Sequence, residues 1–261
     1  MEKKKEVILL FLLIFFVFAI NYRFLDSSLV KFFDEKETAF VERVIDGDTI
    51  VVGNGTHVRL LGINTPEKGE KYYSEAKEFL ENFILNQSVQ LEFGKDKYDR
   101  YDRVLAYIFL GEENVNLKLI ENGFANFYFP SGKDKYYPSF KSALENCVEQ
   151  NKNLCEKSLD KCGNCIKLNV FDFENEVLVF ENNCKFDCDL TGWRIKDEGR
   201  KNFVFENFSV KGGEDFEVIV GNETDSERKL FWKGEDYVWT DSGDTLFLRD
   251  EEGKLILWES Y

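Results

Sequence analysis

The sequence predicts a mainly β protein with helices, in which a small closed β-barrel with packed helices precedes a β-sandwich. Three observations predict it. Between residues 41 and 150, period-two runs and helix-period runs follow in the order three strands, a helix, two strands, then helices. From Val177 onward the helical period disappears, and about seven short strands with turn signals follow. A chain of 261 residues with 43% hydrophobic content is long and apolar enough for two cores.

The barrel opens with a hairpin. Two strand-like runs flank Gly53-Asn54-Gly55, and an Asn-Gly pair supplies the positive φ angles of a tight primed turn. Asp46 and Asp48 lie two apart, so a continuous strand would project both from one face. Arg59 stands in the apolar run beyond the turn, which ends at Asn64-Thr65-Pro66-Glu67, where proline removes a backbone donor and stops regular pairing. Ala76, Phe79, Leu80, Phe83 and Ile84 predict a one-sided helix over 74–85. Val89, Leu91 and Phe93 alternate as a half-buried strand, and 103–110 reads as another. A short helix over 115–122 is stopped by Gly123, and a third helix over 139–149 carries Phe140, Ala143, Leu144 and Cys147 on one face.

Residues 150–165 have the character of a linker. The expected sandwich strands are 177–180, 192–196, 203–205, 216–220, 237–240, 245–248 and 255–258, with Trp193 in their core. The domain plan is therefore 1–37 as a leader and spacer, 38–161 as the barrel, and 162–261 as the sandwich.

Two resemblances attach to these segments. Asp46-Gly47-Asp48-Thr49, then Arg59-Leu60-Leu61-Gly62-Ile63-Asn64-Thr65-Pro66-Glu67, then Tyr101-Asp102-Arg103-Val104-Leu105-Ala106-Tyr107 together resemble the thermonuclease, or staphylococcal-nuclease-like, family. That resemblance implies an OB-type five-stranded β-barrel. Asp189-Leu190-Thr191-Gly192-Trp193, Lys211-Gly212-Gly213 and Ser242-Gly243-Asp244-Thr245 resemble the lamin-tail domain, an immunoglobulin-like β-sandwich.

The nuclease resemblance also implies a chemistry. A phosphodiester repels an incoming nucleophile, so its hydrolysis needs charge neutralisation and an activated water. Asp48, Asn64 and the carbonyl of Thr65 match the family's Ca²⁺-ligand positions, Glu67 matches the general base, and Arg59 and Arg103 match the two guanidiniums on the phosphate. Planar arginine forks suit that last task because they meet two oxygens at once. The family has Asp where this chain has Asn64, which predicts weaker metal binding, with Asp46 compensating from behind. Arg103, directly preceding Leu105-Ala106-Tyr107, is expected in the site instead of Arg100. The expected activity is Ca²⁺-dependent cleavage of single-stranded DNA and RNA. The alternative is a catalytically weak or inactive barrel that binds nucleic acid or protein. The sole histidine, His57, has no metal-ligand neighbours in sequence and reads as a surface residue. Phe124, Phe127, Tyr128 and Phe129 read as core in preference to a base-stacking platform.

The net charge is −15, and residues 162–261 carry 12 Lys and Arg against 23 Asp and Glu, a balance of −11. No segment is basic, which argues against binding nucleic acid by bulk counterion release, though a hydrolase needs only a local positive site. Lys3, Lys4 and Lys5 precede an apolar run over 7–20, which is short for a span and typical of an export signal. An uncleaved signal anchor is the leading expectation, with a cleaved signal peptide and then a buried N-terminal helix as alternatives. Either of the first two places the body outside the membrane. Six cysteines in such a chain predict disulfides, while Cys162, Cys165, Cys184 and Cys188 also admit a four-thiolate zinc site. Cys147 and Cys155 can pair only if the third helix ends between them, since eight helical residues span about 12 Å.

Overall fold

A computed structural model of the chain describes residues 36–261. The expected N-terminal apolar segment lies outside them, and among the described residues no helix is long and apolar enough to cross a membrane.

The first domain comprises β1 (Glu37–Asp46), β2 (Thr49–Val52), β3 (Thr56–Leu60), β4 (Gly62–Asn64), α1 (Tyr73–Ile84), β5 (Ser88–Tyr98), β6 (Val104–Leu110), β7 (Glu113–Asn114), α2 (Val115–Glu121), β8 (Asn126–Tyr128) and α3 (Tyr137–Gln150). The sheet runs β3-β2-β1-β5-β6, and β6 returns to pair parallel with β3 through Val58↔Val104 and Leu60↔Ala106. That closure makes the expected five-stranded barrel and leaves no open edge between its first and last strands. Register shifts between Val41 and Arg43 and between Val44 and Asp46 bend β1, so Val41 and Val44, three apart, both enter the core.

The Asn-Gly turn forms as read, with Asn54 at φ 73° and Gly55 at φ 80°, and β2 and β3 pair up to Val52↔Thr56. One local expectation is corrected. Asp46 and Asp48 do not share a strand face: Asp46 ends β1, Gly47 and Asp48 form a turn, and Asp46 pairs across to Thr49. Gly47 permits the turn because a Cβ there would lie 2.9 Å from the Cβ atoms of both Ala76 and Thr65. The helix and the 64–67 loop thus pack directly against the turn's backbone.

The three helices fall where their periodicity puts them. Ala76, Leu80 and Ile84 of α1 are buried, as are Phe140, Ala143, Leu144 and Cys147 of α3. Asn114 caps α2 by accepting from Leu117 N at 3.1 Å, and Gly123 at φ 68° follows its end. Helix α3 stops at Gln150, Asn151 turns left-handed at φ 55°, and Cys155 comes back to Cys147 with a Cα separation of 5.7 Å. Phe127 and Phe129 are buried, His57 is exposed, and both match expectation.

The second domain comprises β9 (Ile166–Asp172), β10 (Val177–Asn182), β11 (Cys188–Asp189), β12 (Arg194–Lys196), β13 (Asn202–Val204), β14 (Ser209–Val210), β15 (Asp215–Val220), β16 (Lys229–Trp232), β17 (Thr245–Arg249) and β18 (Leu255–Ser260). Two four-stranded sheets, β16-β15-β10-β9 and β13-β12-β17-β18, enclose a core that includes Trp193, Phe180, Phe205 and Phe216. The expected strand at 237–240 does not form. Val238 and Trp239 instead donate their N–H groups to the Glu176 carboxylate at 3.0 and 3.2 Å, so a side chain replaces a ladder. Strands β9 and β16 occupy the two outer positions of their sheet and were not expected. Cys162–Cys188 and Cys165–Cys184 join the start of this domain to the segment after β10. All six cysteines are thus in disulfides, and the zinc alternative is excluded.

The two domains share an apolar seam. Every residue of β17 is buried, because Leu246 and Leu248 face the sandwich core while Phe247 joins the barrel's cluster. Phe127 packs against Phe247 and Trp258 with ring centroids 6.5 and 6.3 Å apart. Leu255 pairs with Lys157, extending the contact along the connecting segment.

Candidate active site

Asp48 is the centre to which the expected residues converge. The turn at the end of β1 holds it by a hydrogen bond from Asp48 N to Asp46 Oδ1 at 3.1 Å. Its Oδ2 accepts from Thr65 N at 3.1 Å and Thr65 Oγ1 at 3.0 Å, and lies 3.1 Å from Arg59 Nη2. Its Oδ1 accepts from Thr49 Oγ1 at 3.1 Å. Asp48, Arg59 and Thr65 are all buried, so this pair is largely shielded from solvent. Burial pushes the Asp46 carboxyl above its ordinary range, with the nearby Asp48 charge adding to the effect.

Arg59 lies opposite Thr49 in the β2–β3 ladder, which directs its guanidinium to the loop after β4. Nη1 donates to Leu60 O at 2.5 Å and Nη2 to Ile63 O at 2.9 Å, so the backbone fixes the plane of the fork. Asn64 Oδ1 lies 3.5 Å from the same Nη2. Arg103 reaches the cluster from the start of β6, its Nη1 lying 3.5 Å from Thr49 Oγ1. Asp99 anchors it with Nε donating to Oδ2 at 2.8 Å. Burial raises the Asp99 carboxyl, but hydrogen bonds from Arg103 and Tyr101 outweigh it and hold the group below its usual range. Arg100 is exposed.

Five of the six expected residues thus meet around Asp48: Asp48 itself, Arg59, Asn64, Thr65 and, through Thr49, Arg103. Glu67 is two residues beyond Thr65, but its half-exposed carboxylate pairs with Arg200 of the sandwich, Nε to Oε1 at 2.8 Å. The sandwich also reaches Asn64, whose Nδ2 donates to Gly199 O at 2.7 Å and Glu198 O at 3.3 Å. A carboxylate at position 64 would present an oxygen to those two carbonyls, so the amide is the side chain that this docking requires. Sequence reasoning missed Thr49, Asp99 and the 198–200 segment. Asp99 was signalled by its place four residues before Arg103, whereas a contact across 134 residues leaves no local mark.

The donor set fits Ca²⁺ in kind. Asp48 could offer carboxylate oxygens, Asn64 an amide oxygen whose contact with Arg59 is long, and Thr65 a backbone carbonyl. These are the hard oxygen ligands that the ion takes. The set contains a single carboxylate, and no group of three His, Cys, Asp or Glu that could hold a metal occurs among the described residues.

A closed OB-type barrel thus brings a buried carboxylate and two guanidiniums together beside the 64–67 loop. Residues 57–157 match the family model described as staphylococcal nuclease homologue, and residues 163–261 match the Lamin Tail Domain. The chain is 36% identical over 130 residues to the thermonuclease of Staphylococcus intermedius, an overlap of 46% of this chain and 77% of that protein. It is 38% identical over 128 residues to the thermonuclease of Staphylococcus hyicus, covering 46% and 76% respectively. An uncharacterised protein of Methanocaldococcus jannaschii is 31% identical over 157 residues, covering 47% and 76%. The chain belongs to the staphylococcal-nuclease-like family and carries a lamin-tail domain at its C-terminal end.

Proposed function

We propose that this nuclease is a Ca²⁺-dependent phosphodiesterase that cleaves single-stranded DNA and RNA outside the cytoplasmic membrane. The observation that carries the reading is the convergence of Arg59, Thr65 and, through Thr49, Arg103 on the buried Asp48 carboxylate. Arg59 and Arg103 hold the non-bridging phosphate oxygens and meet the charge that builds on them in the transition state. Their backbone and Asp99 contacts orient both forks before substrate arrives. Glu67 takes a proton from the attacking water; its pair with Arg200 is solvent-exposed and weak enough to exchange for that water. Asp48, Asn64 and the Thr65 carbonyl would hold Ca²⁺, which neutralises phosphate charge when bound. With an amide at position 64, binding is weaker than a carboxylate pair would give.

Three disulfides are consistent with an oxidising compartment, which supports action outside the membrane. The test is hydrolysis of denatured DNA and of RNA by the purified full chain, with millimolar Ca²⁺ and with a chelator. Cleavage that needs the ion and falls about 10²-fold or more in Glu67→Gln is expected. Absence of cleavage, or undiminished cleavage by the variant, would overturn the reading in favour of a binding module.

A further inference from the structure

Between the 64–71 loop of the barrel and the β12 and β17 strands of the sandwich lies a small cleft that opens beside Asn64, Thr65 and Pro66. Four cations line it: Lys71 from the barrel, and Arg194, Lys196 and Arg249 from the sandwich. This is an unusual concentration for a domain whose overall balance is −11.

One of the two arginines carries an unmet buried donor. Arg194 Nε is buried without a hydrogen-bond partner. Arg249 is 5% exposed and spends Nη1 on Leu154 O at 2.6 Å and Gly253 O at 3.1 Å. Neither guanidinium forms an ion pair with a carboxylate among the described residues. Burial lowers Arg249 to about 10, and the neighbouring Arg194 charge adds to that pull against the opposing effect of Asp250 and Glu70. Two acids line the same cleft, but Glu70 is held by Lys196 at 2.7 Å, and burial raises Asp197 to about 7. A buried guanidinium nitrogen without an acceptor, as at Arg194 Nε, costs free energy, and an oxyanion accepting from it removes that cost.

We propose that this interdomain cleft is a phosphate subsite, in which Arg194, Arg249 and Lys71 bind the backbone of a nucleic-acid strand next to the phosphate held at Asp48. The identity of the polymer rests on the nuclease reading, while the anion site rests on the cleft itself. The sandwich thereby forms one wall of the substrate groove, and the hydrogen bonds of Asn64 to Glu198 and Gly199 keep that wall in register with the barrel.

The test is binding of a fluorescent single-stranded DNA of about 12 nucleotides to the full chain in chelator, read by anisotropy over a range of salt. Hydrolysis is not read, so failure of the nuclease reading and failure of the subsite are separate results. Arg194→Gln and, on the opposite wall, Lys71→Gln each raise Kd by about tenfold, the effect of losing one charged hydrogen bond of roughly 1.4 kcal/mol. Each also lowers the slope of log Kd against log salt by about one. Lys233→Gln, the same charge change at an exposed site paired with Asp225, leaves both unchanged. Should Arg194→Gln unfold, Arg194→Lys and Lys71→Gln carry the test. Wild-type binding in both cleft variants, or an equal loss in Lys233→Gln, would overturn the proposal.

Discussion

Two buried clusters of charge, one in each domain, are similarly shielded from solvent and have opposite electrostatics. In the barrel, Asp48 at 7% exposure is paired with Arg59 at 8%, and both Asp48 oxygens receive protein donors. In the sandwich, Asp197, Glu198 and Asp244, at 8%, 5% and 5% exposure, gather with no arginine among them. They are served by neutral donors: Thr245 Oγ1 and Phe129 N reach Glu198, Lys201 N reaches Asp197, and Glu198 N and Thr245 N reach Asp244. Burial raises all three, to about 7, about 7 and about 6, with the charge of Asp244 adding to the rise of the other two. A carboxylate with a guanidinium is a fixed negative charge that can serve chemistry. Carboxylates with only neutral donors become a pH-dependent cost of folding.

The largest effect follows from making the first cluster resemble the second. Arg59→Ala removes the cation from Asp48 and leaves a buried charge unpaired, a loss of about 3–5 kcal/mol by thermal or denaturant unfolding at neutral pH. Cleavage should fall about 10²–10³-fold in the same variant, the usual consequence of deleting one donor to the transition-state charge. A variant as stable as the parent would show that the pairing is not what holds Asp48.

The second prediction concerns the unaltered protein. The folded-state values of Asp197, Glu198 and Asp244 lie above their ordinary values of 3.8, 4.5 and 3.8. Between those two ranges the folded state binds more protons than the unfolded one, so stability falls as pH rises from about 4 through about 7. The contribution of these acids to the melting temperature should therefore be more favourable at pH 5 than at pH 8. A calorimetric series across that range checks it.

The smallest effect is expected from Glu198→Gln. The amide can accept from Phe129 N and donate to Thr245 Oγ1, so the hydrogen bonds survive while the buried charge is removed. At pH 8 the variant should melt about 2–4 °C higher, the shift that about 1 kcal/mol produces in a chain of this size. At pH 5 the difference should vanish, since the native group is already protonated there. A variant less stable at both values would mean that the carboxylate's charge is needed in the seam.

The residues around Asp48 were legible because each motif is local. The Asp46-Gly47-Asp48-Thr49 turn, the Arg59 strand and the 64–67 loop lie within 22 residues, and hairpin pairing alone brings Thr49 opposite Arg59. The helices were equally legible, since a one-sided apolar period of 3.6 has few other interpretations. The sandwich was harder. Short strands are stabilised by partners far away in sequence, and the 237–240 run, apolar enough for a strand, was claimed by Glu176 from 62 residues earlier.

By itself, then, the order of amino acids determined the two folds and pointed to five of the residues that meet around Asp48, while leaving disulfides and a zinc site as alternatives. The physical reason is that periodicity and turn stereochemistry act between residues close along the chain. Tertiary structure alone decided that Glu67 meets Arg200, that the amide of Asn64 holds the sandwich, and that Arg194 and Arg249 share one cleft. Those arrangements depend on how the β17 seam seats one domain on the other, and packing between distant segments is set by shape and burial, which no short stretch of sequence records.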